Sequence, residues 1–272
     1  MSPPLSSRHR SAFVTGASTG LGRAFAEMLL AEGVAVWGTS RDPARLAGLP
    51  GLRPVTLELG DAAGAERALL EADRVAGGFD LVINNAGFGA FGGFAETDFR
   101  LWQEQLETML VNTARLSHAA LRGMLARGRG TLVNVSSLAA EFPLPFQSAY
   151  NMAKAGLSAL NESLMYEVRG TGVVVIDFRP GDYRTEFEGS VRRPGAMTAP
   201  AQRRAWASFA RMMASGPAPA HAAATLRRAL RRPRSGTVRT GRVFQAVIAP
   251  LLVRLAPLGL KRAVQERYFD LP

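Results

Sequence analysis

The chain has 272 residues, 47% hydrophobic and 20% charged, a globular composition able to bury a sizeable core. It has no cysteine, which excludes disulfides, thiolate chemistry and cysteine metal sites, and its scattered histidines (His9, His118, His221) argue against a histidine metal centre or base. The net charge of +11 is localised: residues 189–242 carry twelve arginines and no acid, and the remainder is close to neutral.

Residues 1–10 lack the apolar core of a secretory leader and read as a disordered tail, and no apolar run is long enough to span a membrane; the expectation is a cytoplasmic protein. "SAFVTG" (11–16) reads as a short buried strand, and "GRAFAEMLLAEG" (22–33) as a helix ending at Gly33. "VAVWGTS" (34–40) and "LRPVTLEL" (52–59) are the second and third strands, followed by a helical "AAGAERALLEADRVAG". "FDLVINNAG" (79–87) is a fourth strand, and helical periodicity covers 98–127. "GTLVNVSS" (130–137), a helix over 148–169 and "TGVVVIDFRPG" (171–181) bring the pattern to six strands with four helices between them. The strands are short and continuously apolar, as strands buried on both faces are. Such alternation predicts an α/β fold, a doubly wound parallel sheet with helices on both faces, in a single domain over 11–242. Residues 182–220 break the pattern as a Pro-, Gly-, Arg- and Met-rich excursion, after which a helix over 220–231 and an extended 236–241 could finish the sheet. The extension 243–272 is apolar and basic, broken by Pro250, Arg254 and Pro257.

Between the first strand and its helix stands "TGASTGLG" (15–22). Gly16, Gly20 and Gly22 let the backbone turn tightly and approach a pyrophosphate at a helix N-terminus. This turn, "NNAG" (84–87), "SS" (136–137), "YNMAK" (150–154) and "PGDYRT" (180–185) resemble, in order and spacing, the short-chain dehydrogenase/reductase family, over about residues 11–185. The resemblance implies a Rossmann-type sheet, a nicotinamide cofactor, and hydride transfer between that cofactor and an alcohol or carbonyl. "LPFQSAY" and "RPGDYRTEF" look most like the hydroxysteroid and retinol dehydrogenase branch.

Tyr150 and Lys154 are four residues apart and share one helix face. A phenol is a poor base near neutrality, and a neighbouring ammonium is expected to lower its pKa and fit it for proton transfer at a carbonyl or alcohol. Lys154 is one of only two lysines among thirty-three basic residues. A compact ammonium can hold ribose hydroxyls and join a proton relay where a planar guanidinium would not. The resemblance implies that Ser137 clamps the substrate oxygen, that Asn112 holds a water beside the lysine, and that Tyr150 is the acid/base. Ser136 and Ser137 point to opposite faces, so one alone can serve, and Ser137 has the matching spacing.

NAD enzymes of this fold carry an acid after the second strand, for the ribose 2′-hydroxyl. Here Ser40 takes that position and Arg41 follows, which predicts NADP(H); Asp42 is the counter-indication. Ser18 is expected to support the same phosphate, with Thr19 and Leu21 in the turn. Glu58 stands where relatives place an aspartate at the adenine edge, with Leu59 beside it. The remaining cofactor contacts implied are Asn85, Ala86 and Gly87 at the ribose, and Pro180, Gly181 and Thr185 at the carboxamide. No metal ligand is expected.

Phe88, Phe91, Phe94, Phe142, Leu144, Phe146, Phe187, Trp206, Phe209, Met212 and Met213 surround these motifs, and fewer than half are expected to touch substrate. They suit a lipophilic ketone or alcohol of steroid-, retinoid-, fatty-acyl- or polyketide-like character. Two rival readings are a 3-ketoacyl reductase whose arginines dock an acidic carrier, and a non-catalytic cofactor-binding regulator. The arginine stretch lacks a reading helix and aromatic interleaving, so nucleic acid is not an expected partner. The tail is open between a membrane surface, a cap on the pocket and a partner subunit. The resemblance implies a homodimer or homotetramer paired through the long helices.

Overall fold

The computed structural model describes residues 3–193, 197, 199–251 and 256–271; Arg254 lies outside them. Seven parallel strands form one sheet, ordered β3-β2-β1-β4-β5-β6-β7. They are β1 (Ser11–Val14), β2 (Ala35–Ser40), β3 (Arg53–Thr56), β4 (Leu81–Asn84), β5 (Gly130–Val135), β6 (Val173–Pro180) and β7 (Gly236–Thr240). Helices α1 (Gly20–Ala31) and α7 (Pro219–Arg231) cover one face. On the other lie α2 (Ala62–Ala76), α4 (Asn112–Ala126) and α5 (Ser148–Glu167). Strand alternation divides the core accordingly. Val14, Val36, Ile83, Val133 and Ile176 pack under α1 and α7; Phe13, Trp37, Val82, Leu132 and Val175 pack under α2 and α4.

The strands end two or three residues short of several apolar runs. β4 stops at Asn84 and β5 at Val135, so 85–87 and 136–137 peel into loops at the C-terminal edge. β3 is an edge strand with mostly exposed residues, not the doubly buried strand its neighbours suggest. Pro54 accounts for this, since proline cannot donate to a second neighbour. The helical stretch 98–127 is interrupted: α3 (Phe99–Leu106) passes through a π-turn (Glu107–Val111) into α4, and Asn112 opens the second segment. The excursion folds as α6 (Pro200–Ala214), and the C-terminal segment ends in a helix over Leu258–Tyr268.

The expected disordered tail is corrected for residues 3–10. Leu5 is buried in the core, its amide donates to Glu32 Oε2 (3.0 Å), and the buried His9 ring bonds the Leu230 carbonyl (3.1 Å). Burial pushes the His9 pKa down despite those contacts. Several arginines of the basic stretch are structural ties: Arg227 and Arg231 meet Glu32, Arg239 meets Glu141, and Arg192 meets Glu104.

On the face under α4 and α5, three polar residues stand in register on adjacent strands: Asn84, Asn134 and Asp177. Asn84 Nδ2 donates to Asn134 Oδ1 (2.9 Å), Asn134 Nδ2 to Asn161 Oδ1 (2.6 Å), and Asn161 Nδ2 to Asp177 Oδ1 (3.1 Å). Asp177 also accepts from Ser158 Oγ (2.5 Å) and Arg179 Nε (2.7 Å) and is bonded to Ser136 Oγ. A buried carboxylate costs little only when several donors meet it, and here they tie α5 to the sheet directly beneath the site.

Candidate active site

The strand order reverses between β1 and β4, and a cleft of about 1640 Å³ opens at the C-terminal strand ends there. The glycine turn forms one wall. Gly16 and Gly20 both have left-handed backbone (φ 67° and 54°), which other residues adopt at a cost. A Cβ on Gly16 would meet the Ala86 backbone at 3.1 Å, so the turn presses against the "NNAG" loop. Thr15 Oγ1 accepts from the amides of Asn85 (2.8 Å) and Ala86 (3.0 Å), and Asn85 Nδ2 donates to the Thr15 carbonyl (3.1 Å), locking the two loops together.

All the expected cofactor residues line this cleft except Gly22. A Cβ there would lie 2.2 Å from the Gly16 carbonyl oxygen and 2.5 Å from Asn85 Nδ2. Gly22 therefore serves the close approach of α1 to the turn and does not face a ligand. Asn112 is buried and does not line the cleft either; its Nδ2 donates to the Leu59 carbonyl (2.9 Å), fixing the loop that carries Glu58 and Leu59.

At the end of β2, Arg41 is exposed and faces Glu58 (Nε–Oε2 3.9 Å). Asp42 turns away: its Oδ1 accepts from the Ala44 amide (3.0 Å), capping the short turn Pro43–Leu46, and it does not line the cleft. Arg45 lines the same end, a cation that motif reasoning did not single out.

Tyr150 and Lys154 sit on the first turns of α5, both facing the cleft, with Lys154 Nζ 5.7 Å from the phenol ring centre. Lys154 is buried and donates to the Val135 carbonyl (2.7 Å). Burial pulls its pKa down to about 8, opposed in part by the Asp177 carboxylate. Tyr150 runs against expectation. Burial pushes it up to about 12; the Ser137 hydroxyl lowers it in part and the Asp182 charge raises it. Desolvation outweighs any help from the ammonium, whose proton is directed at Val135. Ser137 caps the short turn Leu138–Ala140, accepting from the Ala139 amide (3.0 Å), and its hydroxyl lies 3.4 Å from the Pro180 carbonyl. Ser136 points into the sheet, to Asp177.

Seven of the eleven singled-out apolar residues line the cleft: Phe88, Phe142, Leu144, Phe187, Phe209, Met212 and Met213. Phe91, Phe146 and Trp206 instead build a small cluster behind it, and Phe94 stacks on Trp102. The C-terminal segment caps the cleft, with Phe244, Gln245, Leu258, Val264 and Tyr268 in its wall. Of these, Gln245 and Tyr268 bond Asp182, and nothing in the tail's own pattern marks that contact.

The family model described as short chain dehydrogenase matches residues 10–195. The chain belongs to the short-chain dehydrogenase family. An uncharacterized oxidoreductase of Myxococcus xanthus is 36% identical over 195 residues, 68% of this chain and 77% of that protein. A 3-ketodihydrosphingosine reductase of Bacteroides thetaiotaomicron is 30% identical over 64% of this chain and 64% of that protein. A 3-oxoacyl-(acyl-carrier-protein) reductase of Vibrio harveyi is 32% identical over 65% and 74%. A short-chain dehydrogenase structure from Streptomyces avermitilis superposes with a TM-score of 0.82 at 29% identity, covering 94% of this chain and 97% of that one. This short-chain dehydrogenase is thus an oxidoreductase acting on CH–OH and C=O groups, with a fold and glycine turn that fit a nicotinamide cofactor. Helices α6 and α7, strand β7 and the C-terminal cap lie beyond the matched region.

Proposed function

We propose that this short-chain dehydrogenase is an NADP(H)-dependent reductase of lipophilic ketones, working on steroid-, retinoid-, fatty-acyl- or polyketide-like carbonyls. One observation carries the reading: Tyr150, Ser137 and Lys154 line one cleft together with the glycine turn, with the Lys154 Nζ 5.7 Å from the phenol ring centre. Gly16, Ser18, Thr19, Gly20 and Leu21 would hold the pyrophosphate side of the cofactor. Arg41 and Arg45 would hold the 2′-phosphate, Leu59 the adenine side, Asn85 to Gly87 the ribose, and Pro180, Gly181 and Thr185 the carboxamide. When bound, the nicotinamide supplies the hydride that reaches the carbonyl carbon.

The chain's own groups manage the oxygen. Ser137 donates a hydrogen bond to the carbonyl oxygen, and Tyr150 transfers its phenolic proton to that oxygen as negative charge develops there. The phenolate left behind is stabilised by Lys154, which at about 8 can return a proton near neutrality. Asn112 would hold a water that passes protons on to Lys154. The absence of an acid at Ser40, and the turning of Asp42 into a cap, support the NADP(H) preference. Two of the relatives are named for reducing keto or oxo groups, which agrees with the direction of reduction.

A second reading has its own observation. Lys261 and Arg262 line the cleft and would suit an acidic carrier presenting an acyl chain. A carbonyl panel with NADPH and NADH, including carrier-linked and free ketones, tests both. NADPH oxidation with free lipophilic ketones supports the first reading, and turnover confined to carrier-linked substrates supports the second. Pairing of two copies through α4 and α5 is part of the proposal, because Val111, Leu125, Met152 and Tyr166 are exposed on or beside these helices. Light scattering of the purified chain checks it.

A further inference from the structure

Asp182 sets a carboxylate into the cleft wall beside Ser137 and Tyr150. It follows Gly181, two residues after the Pro180 carbonyl that faces the Ser137 hydroxyl at 3.4 Å. Asp182 lines the same cleft as Ser137 and Tyr150, and its charge acts on the Tyr150 phenol. Gln245 Nε2 and Tyr268 Oη both donate to its Oδ2, the latter at 3.3 Å, and Gln245 Nε2 also meets Tyr268 Oη at 2.7 Å. These two donors come from the C-terminal cap and converge on one oxygen. Among the described residues, no hydrogen bond to Oδ1 is made. No described cation forms an ion pair with Asp182. Arg242, whose charge acts on it, spends its guanidinium on the Ser215 carbonyl.

A plain hydrocarbon chain entering this cleft would strip water from Oδ1 and leave it unpaired, which is costly for a carboxylate. A substrate that brings its own donor repairs that loss. We propose that Asp182 is a specificity-determining residue that receives a hydrogen-bond donor carried by the substrate next to its carbonyl, a protonated amine above a hydroxyl. The natural substrate is then a lipophilic α-amino or α-hydroxy ketone. This rests on the ketone-reductase reading and narrows it. Burial raises the Asp182 pKa, and an ammonium at Oδ1 would restore the charged form. A site built to pair a donor rejects the analogue lacking one much more strongly than an oily pocket rejects a change in chain length.

The test compares three ketones of equal chain length with the full chain and NADPH: a 2-aminoketone, a 2-hydroxyketone and the plain ketone. Each is run against wild type and Asp182→Asn, with cofactor affinity measured separately by fluorescence titration. The expected result is a wild-type kcat/KM about 10- to 100-fold higher for the aminoketone than for the plain ketone, with the hydroxyketone between. D182N should lose most of that preference, read as the ratio of aminoketone to plain-ketone kcat/KM, with cofactor affinity within about threefold. A wild-type measurement needs no variant: a long-chain primary amine should inhibit plain-ketone reduction competitively and better than the matching alcohol. Equal wild-type rates on all three ketones, or an amine no better than the alcohol, would overturn the assignment and leave the reductase reading standing. So would a D182N that slows all three alike or binds NADPH more weakly, since Asp182 would then be anchoring the cap or the nicotinamide. A wild-type enzyme that reduces none of the ketones with either cofactor overturns both readings.

Discussion

Replacing Lys154 with methionine should make the fold more stable while abolishing activity. The ammonium is buried, and its pKa falls from 10.5 to about 8. At about 1.36 kcal/mol per pKa unit, keeping it charged costs the folded state about 3 kcal/mol at pH 7. Methionine removes that cost but gives up the bond to the Val135 carbonyl, worth about 1 kcal/mol. The net gain is about 2 kcal/mol, or about 4–8 °C in Tm for a chain of this size. The sign has a pH signature. The folded pKa is depressed, so between about 8 and 10.5 the unfolded chain binds more protons, and wild-type stability rises with pH through that window. The advantage of Lys154→Met should therefore be largest below pH 8 and nearly gone at pH 10. Tyr150, Tyr183 and Tyr268, raised to about 12 in the fold, lower stability from about pH 10 upward, but in both proteins, so the comparison between them isolates Lys154. Differential scanning calorimetry of both proteins at pH 7 and pH 10 is the assay. A variant less stable than wild type at pH 7, or a gap that does not close by pH 10, refutes the account of a desolvated ammonium.

Tyr150→Phe should lower kcat by about 10³-fold with NADPH affinity unchanged, read by steady-state kinetics and fluorescence titration; an unchanged kcat would remove Tyr150 from proton transfer. Arg41→Ala should raise the KM for NADPH about tenfold and leave that for NADH unaffected, because the lost contact is a charge-assisted bond to a group NADH lacks. Gly22→Ala should destabilise by about 3 kcal/mol, since its Cβ would sit 2.2 Å from a backbone oxygen. Gly20→Ala should cost only about 1–2 kcal/mol, from its positive φ alone, with its nearest contact at 3.5 Å; chemical denaturation of the two variants compares them.

Much of the site was legible because its signals are local. Tyr150 and Lys154 share a helix face by spacing, and the glycine turn follows a strand and opens a helix. Ser137 rather than Ser136 follows from its spacing to Tyr150 in the family pattern, although the reason Ser136 is held inward, the Asp177 carboxylate on the next strand, is a contact across forty-one residues. Pro54 already carried the edge position of β3. The tail 3–10 was misjudged because Leu5 finds its partners on α1 and α7, far along the chain.

The amino-acid sequence by itself determined the order of elements, the doubly wound sheet and the identity of the residues gathered at its C-terminal edge, since period, turn chemistry and i,i+4 spacing act over a few residues. Tertiary structure alone decided how those residues behave. Burial is a property of the assembled layers, so only the fold drives the phenol up and the ammonium down. Only the fold, likewise, brings Gln245 and Tyr268 across more than sixty residues to Asp182, where no local pattern could announce them.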